Sequence, residues 1–252
     1  IQKEAITGRT TNENWFDILE SEITIVKDQP VFDGQYSNAC YINRITEAYN
    51  HYKTESNQKE IIFNHWELIL MHLPYCFQGR RTFIEIFAKE NQELLNKQEG
   101  ASFKDKMKAL TKSPEYLALV QSKIYPSEIA SGEVGNIYTG SIFLGLLSAL
   151  YYSANENSDL THKKIGFIAY GSGSKSKVFE AEIQPDWKNS ILKTKLFETL
   201  EKRTAIDFTT YEKLHKKELK SAILQPKNEF VLERIESENP FLKGARYYNF
   251  IE

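Results

Sequence analysis

Leu68-Ile69-Leu70-Met71-His72-Leu73-Pro74-Tyr75-Cys76 opens with four consecutive apolar residues and sets a histidine close behind them. A short, wholly apolar run is the pattern of a strand covered on both faces, since a strand with one wet face alternates apolar and polar residues. Ile165-Gly166-Phe167-Ile168-Ala169-Tyr170 is a second such run; Gly171-Ser172-Gly173 ends it, and residues 178–183 (VFEAEI) then alternate with period two. Residues 38–53 carry Ile42, Ile45, Tyr49 and Tyr52 at spacings of three and four, one apolar face of a helix. Pro74 can sit in the first turn of a helix, where its missing N–H costs nothing. That helix is predicted to reach about residue 97, with Phe83, Phe87 and Leu94 on one face. Residues from about 98 to 130 read as a charged helical excursion, broken near Ser113-Pro114 and Tyr125-Pro126. Further helices are expected at 188–202 and 208–219, and strands at 229–235 and 245–251. Helices alternating with buried strands define a layered α/β chain.

Composition narrows the class of function. The chain has 252 residues, 41% apolar and 26% charged, which excludes a disordered, collagen-like or disulfide-stapled protein. Thirty-two basic against 34 acidic residues leave a net charge of −2, so no overall bias favours nucleic acid or an anionic membrane as partner. No window holds the roughly 18–20 apolar residues a membrane span requires. Two cysteines, Cys40 and Cys76, are too few for an extracellular disulfide framework and fit a reducing compartment, so a cytoplasmic location is expected. The chain opens at Ile1, with neither methionine nor a signal segment, as a piece of a longer protein would.

Three places set a reactive or polar residue where an apolar run stops. His72 is the first: ligands collect at the carboxyl ends of strands in layered α/β folds, and imidazole carries protons near neutral pH. A structural histidine hydrogen-bonded at a strand end is an equally good reading of its position. His51, His65, His162 and His215 lack that setting and are read as surface or structural residues. The second place is Gly135-Asn136-Ile137-Tyr138-Thr139-Gly140-Ser141, where Asn136 offers a carboxamide and Ser141 can cap the next helix. Gly145 and Ser148 in that helix are small enough for close packing. A tight loop with a helix cap explains this segment without any site. The third is Tyr170-Gly171-Ser172-Gly173, which lets backbone approach a ligand but is also an ordinary hairpin turn. No nucleophile elbow, phosphate-binding loop, zinc-ligand cluster or H-E-x-x-H motif is present.

Taken in order, D-G-Q-Y-S-N-A-C-Y (33–41), H-L-P-Y-C (72–76), G-N-I-Y-T-G-S (135–141) and I-G-F-I-A-Y-G-S-G (165–173) resemble the C-terminal portion of the 3-hydroxy-3-methylglutaryl-CoA synthase family. That family shows V-D-G-K-L-S, F-H-x-P-Y/F-x-K, G-N-x-Y-T and S-Y-G-S-G. The resemblance runs from about residue 11 almost to the end, where Phe230-Val231-Leu232 and Arg246-Tyr247-Tyr248 resemble the closing strands. It implies the C-terminal half of a thiolase-type α/β/α/β/α layered fold with a helical insertion, one domain over residues 1–252. It also implies a Claisen-like condensation of acetyl-CoA with acetoacetyl-CoA, feeding isoprenoid synthesis by the mevalonate route. In that chemistry a cysteine is acylated, a glutamate assists removal of a methyl proton, and the enolate attacks the keto carbon. His72 matches the histidine that binds and polarises the acetoacetyl group and acts as acid/base. Asn136 and Ser172 match contacts to the acyl portion, Ser37 a CoA contact, and Arg81 a substrate-binding lysine. Tyr138 and Tyr170 fall on motif positions with supporting roles. No cofactor beyond the CoA substrates and no metal is implied. The expected partners are acyl-CoA and an N-terminal half of the same enzyme, with a homodimer when complete.

The departures are specific. Phe77 stands where the family has a CoA-contacting lysine, a gap that Arg80 or Arg81 could partly cover, although arginine and lysine differ at a phosphate. Gln35 replaces a motif lysine. Cys40 and Cys76 are not at the nucleophile's position and read as packed small residues. Glu67 is not a convincing replacement base. The chain alone is therefore expected to be incomplete and inactive. Two alternatives stand beside this reading: a related synthase that builds β-branches on carrier-protein-bound acyl groups, and a non-catalytic acyl-CoA-binding or assembly domain.

Overall fold

The computed structural model describes residues 33–57, 59–171, 174–219 and 221–252. It falls into two compact units that divide between Lys202 and Arg203.

The first unit is built on three strands, β1 (Trp66–Met71), β2 (Lys164–Gly171) and β3 (Lys175–Glu182), in the order β1-β2-β3. β1 and β2 run parallel, and β2 and β3 form an antiparallel hairpin. A crossover of more than 90 residues separates the parallel pair and contains most of the helices. As the apolar runs predict, residues 68–71 of β1 and 165–168 of β2 are buried on both faces. β3 alternates between half-buried and exposed positions.

Alternation assigns the strand residues to two cores. Ile69, Met71 and Ile168 join one core with Tyr41, Ile45, Tyr49, Phe63, Phe83 and Phe87. Leu68, Leu70, Ile165 and Phe167 join the other with Ile142, Ala149, Leu150 and Trp187. Trp66 would fall with Leu68 and Leu70 in a regular strand. A register shift between Trp66 and Leu68 reverses the phase, so the indole enters the first core. There it lies over Gly166: a Cβ at that glycine would sit 2.0 Å from the Trp66 ring, so only glycine fits.

The first core is covered by α1 (Gly34–Glu55) and α2 (Gln78–Glu90). Asp33 caps α1 by accepting from the Tyr36 N–H at 2.9 Å, and Tyr41, Ile45 and Tyr49 form its buried stripe. α2 is shorter than its sequence suggests. Pro74 lies in the turn ahead of it, and Phe77 is the residue that precedes its first turn. At the far end Asn91 leaves helical backbone, and its side-chain amide donates to the Phe87 carbonyl at 2.8 Å, ending the helix before α3 (Gln92–Asn96).

The excursion is helical: α4 (Phe103–Leu110), α5 (Pro114–Leu119), one π-helical turn (Val120–Ile124) and α6 (Tyr125–Val134). The two Ser/Tyr-Pro breaks fall at the starts of α5 and α6, where a proline is tolerated. α7 (Gly140–Asn155) packs against β1 and α6. A Cβ added at Gly145 would meet Ser127 at 3.5 Å, an ordinary contact, so α6 lies close to α7 there. Ser148 donates to the Pro126 carbonyl and accepts from the Ala130 N–H, so the small residues give the close packing expected. The helix expected over 188–202 is instead two, α8 (Trp187–Leu192) and α9 (Leu196–Glu201), because Lys195 takes left-handed backbone with φ of 49° between them. The second unit holds α10 (Phe208–His215), which stops four residues short of the helix expected over 208–219, and an antiparallel pair, β4 (Glu229–Ile235) and β5 (Arg246–Ile251), where strands are expected.

Among the described residues no helix is long and apolar enough to cross a membrane, and no group of three or more His, Cys, Asp or Glu is placed to hold a metal ion.

Candidate active site

His72 is the first residue beyond β1, and its N–H extends the ladder by donating to the Ile168 carbonyl at 3.2 Å. Its carbonyl accepts from the Tyr41 phenol at 2.7 Å, so α1 holds the same residue. The imidazole is half-buried, with the Tyr41 ring 6.3 Å away and the Tyr170 ring 6.1 Å away; the two tyrosine rings are 4.7 Å apart. Burial pushes the His72 pKa below the usual 6.5, because a desolvated imidazolium loses more hydration than the neutral ring. Burial also pushes the phenols of Tyr41 and Tyr170 up, with Cys40 adding to the effect at Tyr170, so both stay neutral.

Ser141, in the first turn of α7, completes the setting. Its Oγ accepts from the Leu73 N–H at 3.0 Å and lies 3.0 Å from His72 Nδ1. The sequence suggests a helix cap here; instead, the fully buried side chain turns back to the end of β1. α7 begins without any side-chain cap. Its loop still carries the unusual backbone that Gly-Asn implies: Gly135 and Tyr138 have φ of 83° and 52°, and Asn136 Oδ1 accepts from the Tyr138 N–H at 2.8 Å.

Besides the ladder bond to Ile168, the bonds and ring contacts around His72 come from Tyr41, Tyr170 and Ser141 among the described residues, not from Ser37, Arg81, Asn136 or Tyr138. Ser37 lies in the first turn of α1. Arg81 is exposed in the first turn of α2, 5.9 Å from the Tyr75 ring centre. Asn136 is exposed, and Tyr138 is 77% exposed. Ser172 lies outside the described residues. Cys40 and Cys76 are free and half-buried; Glu67 is exposed within β1. Phe77 is 50% exposed. Of the two arginines that could make good its missing charge, Arg80 is engaged: it grips the buried Glu128 carboxylate through Nε, at 2.9 and 3.1 Å, and through NH2. The remaining histidines, His51, His65, His162 and His215, are exposed. Motif reading missed Tyr41, the last residue of D-G-Q-Y-S-N-A-C-Y, and read Ser141 as a cap. Both had already been quoted as motif members, but their partners are 31 and 69 positions away.

A histidine at the carboxyl end of a buried parallel strand, fixed by groups from two helices and flanked by neutral phenols, is the centre of the candidate site in this layered α/β chain. The chain belongs to the hydroxymethylglutaryl-CoA synthase family: the model of that family's C-terminal region matches residues 8–247. The synthase of Schizosaccharomyces pombe is 26% identical over 93% of this chain and 56% of its own length. That of Enterococcus faecalis is 26% identical over 78% and 44%. The chain thus spans about half the length of these relatives. Among solved structures, MvaS in complex with 3-hydroxy-3-methylglutaryl coenzyme A superposes with a TM-score of 0.67 at 21% identity, over 90% of this chain and 53% of that one. The curacin biosynthetic pathway HMG synthase in complex with holo donor-ACP gives 0.66 at 18%, over 90% and 53%.

Proposed function

We propose that this chain supplies the acid/base and substrate-binding part of a 3-hydroxy-3-methylglutaryl-CoA synthase, which condenses acetyl-CoA with acetoacetyl-CoA and uses no further cofactor. The observation that carries the reading is the setting of His72, held by backbone and side-chain bonds at a strand end with an imidazole that stays neutral near pH 7. His72 binds and polarises the acetoacetyl group and serves as acid/base. Asn136 and Ser172 contact the acyl portion, Tyr138 and Tyr170 support them, and Ser37 and Arg81 face the CoA side. The acylated cysteine and the assisting glutamate come from an N-terminal half outside these 252 residues, so that this chain alone does not turn over. The complete protein works as a homodimer in the cytoplasm, and its product enters isoprenoid synthesis. Support for the division comes from the roughly half-length match to relatives and from the settings of Cys40 and Cys76. Release of free CoA from the two thioesters by the full-length protein tests it, and a substrate-independent rate would refute it.

A second reading changes only the carrier of the acyl group. Phe77 in place of a lysine and the engagement of Arg80 with Glu128 weaken the cationic side that a free CoA would need. A thioester delivered on a carrier protein needs less of it. Relative turnover with acetoacetyl-CoA and with an acetoacetyl carrier protein separates the two.

A further inference from the structure

The geometry points to Ser141 as the positioning residue of His72: its hydroxyl selects the imidazole tautomer with hydrogen on Nε2 and holds that nitrogen ready to donate to a substrate carbonyl oxygen.

Counting hydrogens leads there. Ser141 Oγ is fully buried and has two neighbours at 3.0 Å, the Leu73 N–H and His72 Nδ1. An amide N–H can only donate, so Oγ accepts from Leu73. The one hydroxyl hydrogen then goes to Nδ1, the other neighbour, which must offer its lone pair. A neutral imidazole whose Nδ1 accepts carries its hydrogen on Nε2. Among the described residues Nε2 has no hydrogen-bond partner, so it is the nitrogen left for substrate. The opposite tautomer would point two hydrogens at one another or strand the serine hydrogen in a buried place, and either costs a hydrogen bond.

The same count sets the chemistry. Rested on the proposed condensation, His72 meets the keto oxygen as a hydrogen-bond donor. As the enolate attacks the carbonyl carbon, the carbon–oxygen π pair moves onto oxygen, where the Nε2–H stabilises the growing charge. In that step the Nε2–H stays on the neutral ring as a hydrogen bond, since its loss would create an imidazolate, so the acid role proposed for His72 belongs to its protonated form. The titratable groups facing the ring are Tyr41 from α1 and Tyr170 from β2, both held neutral, with Ser141 from α7 between donor and ring. Ser141 also explains why a serine occurs where no helix-capping bond is made.

The test is nitrogen-15 NMR of the histidines in the full-length protein, with His72 assigned from the signal lost in His72→Asn. Expected is a neutral His72 with hydrogen on Nε2 and Nδ1 accepting. Ser141→Ala should raise its pKa by about half to one unit, the effect of removing one hydrogen bond to the neutral form. Ser141→Thr, which keeps the hydroxyl, should restore the parent value. In the full-length protein Ser141→Ala should lower kcat about tenfold with little change in KM. Hydrogen on Nδ1 in the parent chain overturns the assignment without any variant, as does an unchanged pKa in a folded Ser141→Ala. A His72 that behaves as expected here, but whose removal leaves condensation intact, would sink the proposed function and leave the positioning role standing.

Discussion

The Tyr41 phenol on α1 donates a 2.7 Å hydrogen bond to the backbone carbonyl of His72 at the end of β1. Helix and strand are thereby joined at the histidine of the candidate site, through two groups 31 positions apart. Tyr41→Phe keeps the ring among its neighbours and removes only the donor, leaving a buried carbonyl unpaired. The expected loss is about 1–2 kcal/mol of stability, read from the urea midpoint. A several-fold drop in turnover of the full-length protein should accompany it, as the imidazole loses part of its support.

Gly166 and Trp66 make a second coupled pair. A methyl group at Gly166 would enter the indole ring, so Gly166→Ala should destabilise the chain by about 1–3 kcal/mol. Combining it with Trp66→Leu, which vacates the space, should cost less than the sum of the single changes. Chemical denaturation of the four proteins in the cycle measures this, and strict additivity would place the two residues out of contact.

The Arg80–Glu128 pair holds a carboxylate that is almost wholly buried. Arg80→Met should cost about 3–5 kcal/mol by leaving that charge alone. Adding Glu128→Gln should recover much of the loss. If Arg80 serves a CoA phosphate instead, Arg80→Met will raise KM for the thioester while leaving the melting temperature unchanged.

His72 also makes stability depend on pH in a definite direction. Its folded pKa lies below the ordinary 6.5 of an unfolded histidine because of burial. The unfolded chain therefore binds more protons in the window between the two values, and this contribution to stability is fully present above about pH 6.5 and falls away as pH drops to the folded pKa. Melting curves of the parent and of His72→Asn should diverge over that window, with the parent losing more on acidification. Parallel curves would mean that His72 is solvated.

Much of this fold is legible in local pattern. The apolar runs that become β1 and β2, the hairpin at Gly171, the helical excursion with its proline-marked breaks and the closing strands all follow from residue type and spacing. The extent of α2 does not, since Asn91 ends it by a side-chain bond to Phe87 rather than by any breaker. Nor does the phase of Trp66, which depends on a register shift visible only once β1 meets β2. At the site, His72 stands out by its position after an apolar run. Ser141 and Tyr41 do not, because what matters about them is a partner brought near by the fold: a serine beside a helix start reads as a cap until the strand it reaches is in place.

The central claim is that His72 carries the condensation. It is tested most directly by following free CoA release from acetyl-CoA and acetoacetyl-CoA with the full-length protein and its His72→Ala variant. The account predicts at least a hundredfold loss of turnover in a variant that remains folded, in the range set by removal of a positioned acid/base group. Turnover at the parent rate would contradict it.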